Sequence, residues 1–508
     1  MNNENLTQTL DDEALMNIDS GAEIASSTSK MPGPYKIVAA TSFGVFLSAL
    51  DASIVNVSLV TIKDSLGVTM AAIQWVVVAY LLIMTSAMPL MGKLGDRLGK
   101  TKVFQLGMLV FISGSFLCAI SIGLEMLVAA RVFQALGASM LSANGLALVT
   151  FFTTTQNRGR AIGMNSIVLA AALGSGPVLG GVLSQFYGWP SIFLVNLPIG
   201  IIGFLVVQII VPETEPVKEI KFDSIGAALF FSLLFLLIYY VTVSPGASLG
   251  VSILFIEAIL ISLLAFIIRE GSFHSPIITT EVLKDKRISS SIFSAILAYM
   301  AMVPISFLLP FYLQEALDFN QSMTGVFLMV QPIMISITGP IAGFVSERWC
   351  AKNQTVVGLF VQLAGLIFIA FAIPNVILMA VGVAIMGTGL SFFSVANGNF
   401  IMTAAPKRYM GVVSALTNIA RTTGFSIATA LVTTVFGLFF LITNPGGITS
   451  GPIFATSYGQ AVELTIWVFT VLVIIAAIIS SLRGLNPCEA ERMNNGITIV
   501  STDQTPQQ

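Results

Sequence analysis

Fourteen long apolar runs, separated by short polar intervals, constrain this chain more than any other feature. They lie at roughly 37–61, 72–91, 103–122, 126–150, 161–186, 190–211, 223–243, 250–268, 289–313, 323–346, 355–373, 375–403, 411–441 and 461–482. About 20 apolar residues in a helix cross the hydrocarbon core of a bilayer. In lipid every backbone polar group must be satisfied within the protein, so spanning runs of this kind form helices. Only 9% of the 508 residues are charged and 56% are hydrophobic, against about 25% charged in a soluble chain. Too little polar surface exists to cover a water-exposed globule, so the expectation is an all-α integral membrane protein.

The basic residues orient the runs. Cytoplasmic loops retain Lys and Arg. With the N-terminus inside, the inward loops hold Lys93, Arg97, Lys100 and Lys102; Arg158 and Arg160; Lys218 and Lys221; Arg269, Lys284, Lys286 and Arg287; Arg348 and Lys352; Lys407 and Arg408. The outward loops hold Lys63. Both termini are therefore expected in the cytoplasm and the chain in the cell membrane. The acidic start (Asp11, Asp12, Glu13, Asp19, Glu23) lacks the basic end and apolar core of a signal peptide. Residues 1–35 and 484–508 read as disordered tails.

Composition also excludes functions. A net charge of -2 gives no sign of nucleic acid, and three scattered cysteines (Cys118, Cys350, Cys488) offer neither a disulfide framework nor metal-ligand spacing. One histidine, His274, leaves little material for a metal site or a Ser-His-Asp triad. No G-x-x-x-x-G-K-[ST] loop appears, so ATP is not the expected energy source. The longest internal loops, about 211–223 and 269–288, hold no catalytic cluster that would suit a membrane enzyme or receptor.

An internal repeat divides the runs. "GKLGDRLGKTK" follows run 2 and "GFVSERWCAKN" follows run 10. Aligned from Gly92 and Gly343, Asp96 matches Glu347 and Arg97 matches Arg348. Runs 1–6 (36–211) and 9–14 (289–483) then form parallel six-span halves. Runs 7 and 8, with their flanking loops (212–288), form an inserted hairpin. Parallel halves with a midplane site between them are a transporter architecture.

Four motifs carry chemistry. In "MGKLGDRLGKTKVF", Gly92, Gly95 and Gly99 allow a tight turn or close approach of helix ends. Asp96, Arg97 and Lys100 supply charges for a latch that forms in one conformation, although a plain positive-inside loop would explain the lysine. In "ARVFQALGASMLSAN", Arg131 lies about two turns inside the membrane with Gln134 on its face. It either serves the transport cycle or snorkels to the interface. "LGSGPVLGGVLS" gathers Gly174, Gly176, Pro177, Gly180 and Gly181, which allow close helix packing. "GVFLSALDASIVNVSLVTI" buries Asp51 among apolar turns, with Asn56 on its stripe.

These motifs resemble the major facilitator superfamily, and within it the 14-span drug:proton antiporter family. The likeness covers about residues 36–482. It implies the major facilitator fold, two six-helix bundles plus the hairpin. It implies a proton-transfer role for Arg131, an antiporter signature in run 5 and the family's pattern around Arg421 in "NIARTTGFSIATAL". The connection "PFYLQEALDFNQSM" also matches, except that the family usually has glycine where Asp318 stands.

Depth relates the two buried charges. Asp51 lies about 22 Å from the inner boundary at 1.5 Å per residue, and Arg131 at about the same height. If runs 1 and 4 line one cavity, the two meet. Burial works against the carboxylate's charge and a neighbouring cation works for it, so small rearrangements would load or release a proton. The alternative is a buried acid that only bonds neighbouring helices.

Asn56, Gln134, Asn144, Asn418 and Arg421 are candidate cavity residues, Arg421 being equally suited to capping carbonyls between helices. Members of the family it resembles that handle divalent cations tend to carry extra acids in runs 10 or 13; these runs contain none here, so the resemblance argues against divalent cations. Neutral, monocationic or, through Arg421, anionic lipophilic compounds remain. The expectation is a monomeric proton-coupled exporter of drugs, or a dedicated exporter or flippase of one endogenous amphiphile. Neither metal nor cofactor is expected, and the proton gradient is the energy source. Glu257 in run 8 lies remote from any cavity and Glu463 near the outer interface.

Overall fold

The computed structural model describes residues 33–153, 155–215, 223–243, 248–272, 284–404 and 410–484. His274 and most of both tails lie outside the described residues. The chain is a succession of helices: α1 (Pro34–Leu66), α2 (Met70–Leu98), α3 (Lys100–Ala119), α4 (Leu124–Phe151), α5 (Thr155–Tyr187), α6 (Ser191–Ile210) and α7 (Ser224–Val243). There follow α8 (Leu249–Ser272), α9 (Lys286–Ala316), α10 (Gln321–Arg348), α11 (Ala351–Ala372), α12 (Val376–Ala404), α13 (Met410–Thr443) and α14 (Pro452–Leu482).

Among the described residues, 12 helices are long and apolar enough to cross a membrane. The protein is thus a multi-pass integral membrane protein. The two helices outside that set are α5 and α7. α5 is 33 residues long with Pro177 inside it, and α7 is 20 residues long.

The helices run past the apolar stretches that announce them. Gly92, Gly95, Asp96 and Arg97 were expected in a loop but belong to the last turns of α2, because nothing in that sequence breaks a helix before Gly99. Gly99 alone makes the turn, at φ +97°, where an added Cβ would also meet the Thr214 carbonyl at 2.6 Å. Glu347 and Arg348 likewise end α10. The repeat extends inward from these ends: α2 contains Pro89 and α10 contains Pro340, at matching positions before Gly92 and Gly343.

α1 packs on α4, α5 and α6, while α3 packs on α4 and α6. In the second group α9 packs on α12, α13 and α14, and α11 on α12 and α14. The groups meet through α5 against α10 and α2 against α13. α7 lies across this seam, touching both α2 and α13, and carries α8 on its outer side. The α7–α8 pair is tied at its base. Asp223 is buried, receives Arg269 Nε at 3.0 Å and accepts from Gly226 N at 2.9 Å. Lys93 of α2 lies within electrostatic reach of Asp223 and Glu270. Glu257 sits on the exposed face of α8.

α9 opens with an N-cap: the Asp285 carboxylate accepts from Arg287 N at 2.8 Å and pairs with Arg287 Nη2 at 2.7 Å. The Arg287 guanidinium holds this carboxyl below its usual range. α9 then widens twice, where Leu309 N reaches the Pro304 carbonyl and Leu317 N the Tyr312 carbonyl. Such wide turns recur at functional positions in helices.

Asp318 adopts φ +56°. The left-handed region costs an L-residue roughly 1–2 kcal/mol, less for Asp than for most. Asp318→Gly is therefore expected to raise stability by up to about 1 kcal/mol, read as a small rise in the thermal midpoint of purified protein. No rise would show that the Asp318 side chain makes an offsetting contribution.

Candidate functional site

Four helices bring a polar cluster into the apolar interior of the first group. Asp51 of α1 is fully buried and Arg131 of α4 is 1% exposed. Arg131 Nη1 donates to Asp51 Oδ2 at 2.5 Å and to Gln134 Oε1 at 2.6 Å, and its Nε to the Val76 carbonyl at 3.1 Å. Asp51 Oδ1 accepts from Gln134 Nε2 at 2.9 Å and from Asn196 Nδ2 at 3.1 Å. Ser115 Oγ of α3 closes the network at 2.7 Å from Gln134 Nε2. The guanidinium carbon lies 3.9 Å from the centre of the Tyr80 ring.

A buried charge is costly unless it is paired and hydrogen-bonded, and here both are. Removing one member of such a pair costs about 3–5 kcal/mol, because the other is stranded. Single deletions within this arrangement are therefore costly.

Tyr80 and Arg131 also line a cavity of about 140 Å³ between the two groups. Ala52, Ser53 and Asn56 line it from α1, Leu173 and Pro177 from α5, Phe307 from α9, and Gln331 and Pro332 from α10. Its walls are largely apolar, as ligand sites generally are. Buried Asn56 Oδ1, Tyr80 Oη and Gln331 Nε2 have no hydrogen-bond partner.

The cavity is closed at the end away from the basic loops. Lys63 Nζ pairs with Glu315 Oε1 at 2.5 Å, so the lysine expected among the outward loops is neutralised rather than solvated. Gln314 Nε2 donates to the Val57 carbonyl at 3.1 Å, Gln321 Nε2 to Thr61 Oγ1 at 2.8 Å and Ser322 N to Gln185 Oε1 at 3.3 Å. A hydrophobic cluster runs without a break from Ile54 and Val57 to Phe307, Leu308 and Leu328.

The run-5 glycines underlie this closure. An added Cβ at Gly180 would meet the Ile54 carbonyl at 2.5 Å, at Gly176 it would meet Ser53 Oγ, and at Gly181 the Gln321 carbonyl. Gly325 of α10 faces the Pro177 carbonyl in the same way. Gly174 is looser, 3.6 Å from Pro332.

Other expected residues are distributed differently. Gln134 was a cavity candidate but is buried within the ion-pair network. Asn144 was another, but it donates to the Met91 and Met140 carbonyls at 3.0 Å each and packs on Gly95, because α2 and α4 approach too closely there to leave a cavity. Asn418 and Arg421 bond each other, Arg421 Nη2 to Asn418 Oδ1 at 3.2 Å, and neither is among the residues lining the central cavity. Asp96 pairs with Lys100, not with Arg97, which is exposed. Glu463 accepts from Trp467 Nε1 at 3.4 Å.

Sequence reasoning missed Ser115, Asn196, Tyr80 and Gln331. Asn196 in "FLVNLPIG" and Gln331 in "LMVQPIM" carried a usable signal, an isolated amide inside an apolar run. Among the described residues, no group of three or more His, Cys, Asp or Glu could hold a metal.

The chain matches the family profile described as the Major Facilitator Superfamily over residues 41–429. It is 34% identical to the riboflavin transporter RibZ of Clostridioides difficile (strain 630) over 397 residues, 77% of this chain and 86% of that protein. It is 30% identical to the methylenomycin A resistance protein of Bacillus subtilis (strain 168), over 77% of this chain and 85% of that one. Among solved structures, a bacterial homologue of the human lysosomal transporter Spinster, inward-facing and unoccupied, superposes with a TM-score of 0.65 at 15% identity, covering 90% of this chain and 98% of that one.

Proposed function

The chain belongs to the Major Facilitator Superfamily, and from that premise we propose that it is a proton-coupled exporter dedicated to one small organic compound. The superfamily and its fold make it a secondary transporter of small organic molecules rather than an enzyme. The observation that carries the finer reading is the Asp51–Arg131 pair. It is fully buried, and its Arg131 lines the central cavity beside Tyr80. A charged pair so placed lets the binding of a proton and of a substrate influence each other.

The proposed architecture has fourteen spans: two parallel six-helix bundles, α1–α6 and α9–α14, with α7–α8 inserted as a hairpin over the seam. Both termini lie in the cytoplasm, where the basic ends of the helices gather. The contacts around Lys63, Glu315 and Gly325 then mark an inward-open state closed toward the outside. Protons from outside load Asp51 as substrate leaves, and the bundles rock about the midplane cavity. The ends of α2 and α10, with Gly92, Asp96, Arg97, Glu347 and Arg348, form the cytoplasmic latch of the outward-open state. Asp96 held by Lys100 represents the latch disengaged.

A dedicated substrate is favoured because the relatives' names span a vitamin and an antibiotic, each a single organic compound. The second reading, broad drug efflux, rests on 28% identity to the multidrug resistance protein Stp of Mycobacterium tuberculosis (strain ATCC 25618 / H37Rv) over 80% of this chain. Purified protein in a weakly buffered solution distinguishes both from uncoupled transport. Adding a bound substrate is expected to release protons, and counterflow into proteoliposomes is expected to follow an imposed pH gradient. Riboflavin and methylenomycin A serve as first probes. A substrate that moves at the same rate with and without the gradient would remove proton coupling from the proposal.

A further inference from the structure

Resting on that reading of the central cavity, we infer that its substrate is uncharged and carries a hydrogen-bond donor and an acceptor, read by Asn56 and Gln331. Two observations carry this. The first is charge. Of the residues lining the cavity, Arg131 alone is charged. Its charge is matched by Asp51 at 2.5 Å and its Nη1 and Nε are occupied, while the Tyr80 ring stacks on it. Among the described residues, no carboxylate lines the cavity to receive a cation.

The second is the unsatisfied polar atoms. Asn56 Oδ1 accepts and Gln331 Nε2 donates, and both are buried without partners. Each such orphan keeps its desolvation penalty until something satisfies it. They come from α1 and α10, one on each group, and both residues line the same apolar space. A ligand with one donor and one acceptor satisfies both at once. Leu81, Phe307, Leu328 and Phe425 supply apolar surface for the rest of it. The ligand thereby links the two groups through bonds that exist only when it is bound, which ties rocking of the bundles to occupancy. A site built to hydrogen-bond discriminates strongly against analogues that lack the group, because its own polar atoms are then left unpaired.

The test uses three probes on full-length protein in nanodiscs. Lumichrome is a flat, uncharged tricycle with two N–H donors; its N1,N3-dimethylated analogue lacks both; tetraphenylphosphonium is an apolar permanent cation. Lumichrome is expected to bind at least about 10-fold more tightly than either of the others. Gln331→Met and Asn56→Leu are each expected to erase that preference. Gln331→Asn, which keeps the amide, guards against a general packing effect and is expected to retain part of it. Monodisperse elution at wild-type retention establishes that each variant folds.

Tighter binding of tetraphenylphosphonium, no lumichrome binding, or a preference untouched by both apolar variants overturns the inference. The transport reading is judged separately. If tetraphenylphosphonium moves with the pH gradient and lumichrome does not, the substrate class falls and proton-coupled transport stands. If both probes bind but neither responds to the gradient, the coupling fails while the substrate class stands.

Discussion

Asp51→Asn is expected to reduce gradient-driven transport to background while substrate binding and slow, non-concentrative exchange persist. The side chain keeps its size, and its oxygen still accepts from Gln134 and Asn196, the bonds that now reach Oδ1 at 2.9 and 3.1 Å. What disappears is the titratable proton and the negative charge that holds Arg131 Nη1. The cycle then has no step in which a proton alters the ion pair.

Stability separates this from simple misfolding. Asp51→Asn leaves Arg131 buried without a counter-charge, and Arg131→Met leaves Asp51 in the same position. Each single change is expected to cost about 3–5 kcal/mol, because one charge is stranded. The double variant should recover much of that loss, since neither charge remains, yet stay transport-dead. Thermal unfolding of the four proteins with transport assays in proteoliposomes reads both quantities. Full gradient-driven transport by Asp51→Asn would remove Asp51 from the coupling step.

Gly325→Val and Gly181→Val are expected to have the next largest effect, on the conformational equilibrium. At both positions an added Cβ runs into a main-chain carbonyl of the opposing helix, Pro177 for Gly325 and Gln321 for Gly181. Backbone cannot rotate away as a side chain would. The clash exists only while α5 and α10 are in contact, so it penalises the closed outer end and spares the open one. Overpacking of this kind costs roughly 1–3 kcal/mol, which shifts a two-state equilibrium by about 5- to 150-fold. The proportion of molecules open to the outside should rise accordingly, and transport should fall because reclosure becomes limiting.

Ser306→Cys, on the cavity wall, reports this when cysteine-free protein is labelled with a membrane-impermeant maleimide from outside. Faster labelling in the glycine variants is the expected result. Unchanged labelling would mean that the α5–α10 contact does not govern outer access.

Much of the fold was legible because a bilayer imposes a simple code. Run length, the placement of Lys and Arg, and the Gly92/Gly343 repeat are local properties, and they implied the helices, their order and their pairing. Depth was legible as well. Rise per residue accumulates along a straight helix, so Asp51 and Arg131 could be placed at one level, and in the structure they touch.

Rotation about the helix axis was not legible. Asn56, Gln134 and Asn144 looked alike as lone polar residues in apolar runs. One lines the cavity, one bonds the ion pair and one fills the crossing of α2 and α4. An apolar helix surrounded partly by lipid and partly by protein has no strong polar face to announce its orientation, and the neighbouring helices decide it. The same limit hid Asn196 and Gln331.

The amino-acid sequence by itself determined that this is a membrane protein of apolar helices, which ends of those helices are basic, and at what depth its buried charges lie. These follow from the free energy of transferring individual residues between water and lipid, which needs no knowledge of neighbours. Tertiary structure alone decided that Tyr80 and Arg131 of the ion pair reach the cavity wall, that Gly181 and Gly325 close one end of it, and that two amides from opposite groups each keep one polar atom unsatisfied. Those facts depend on which faces meet when helices distant in the chain pack together, and that is a property of the assembled whole.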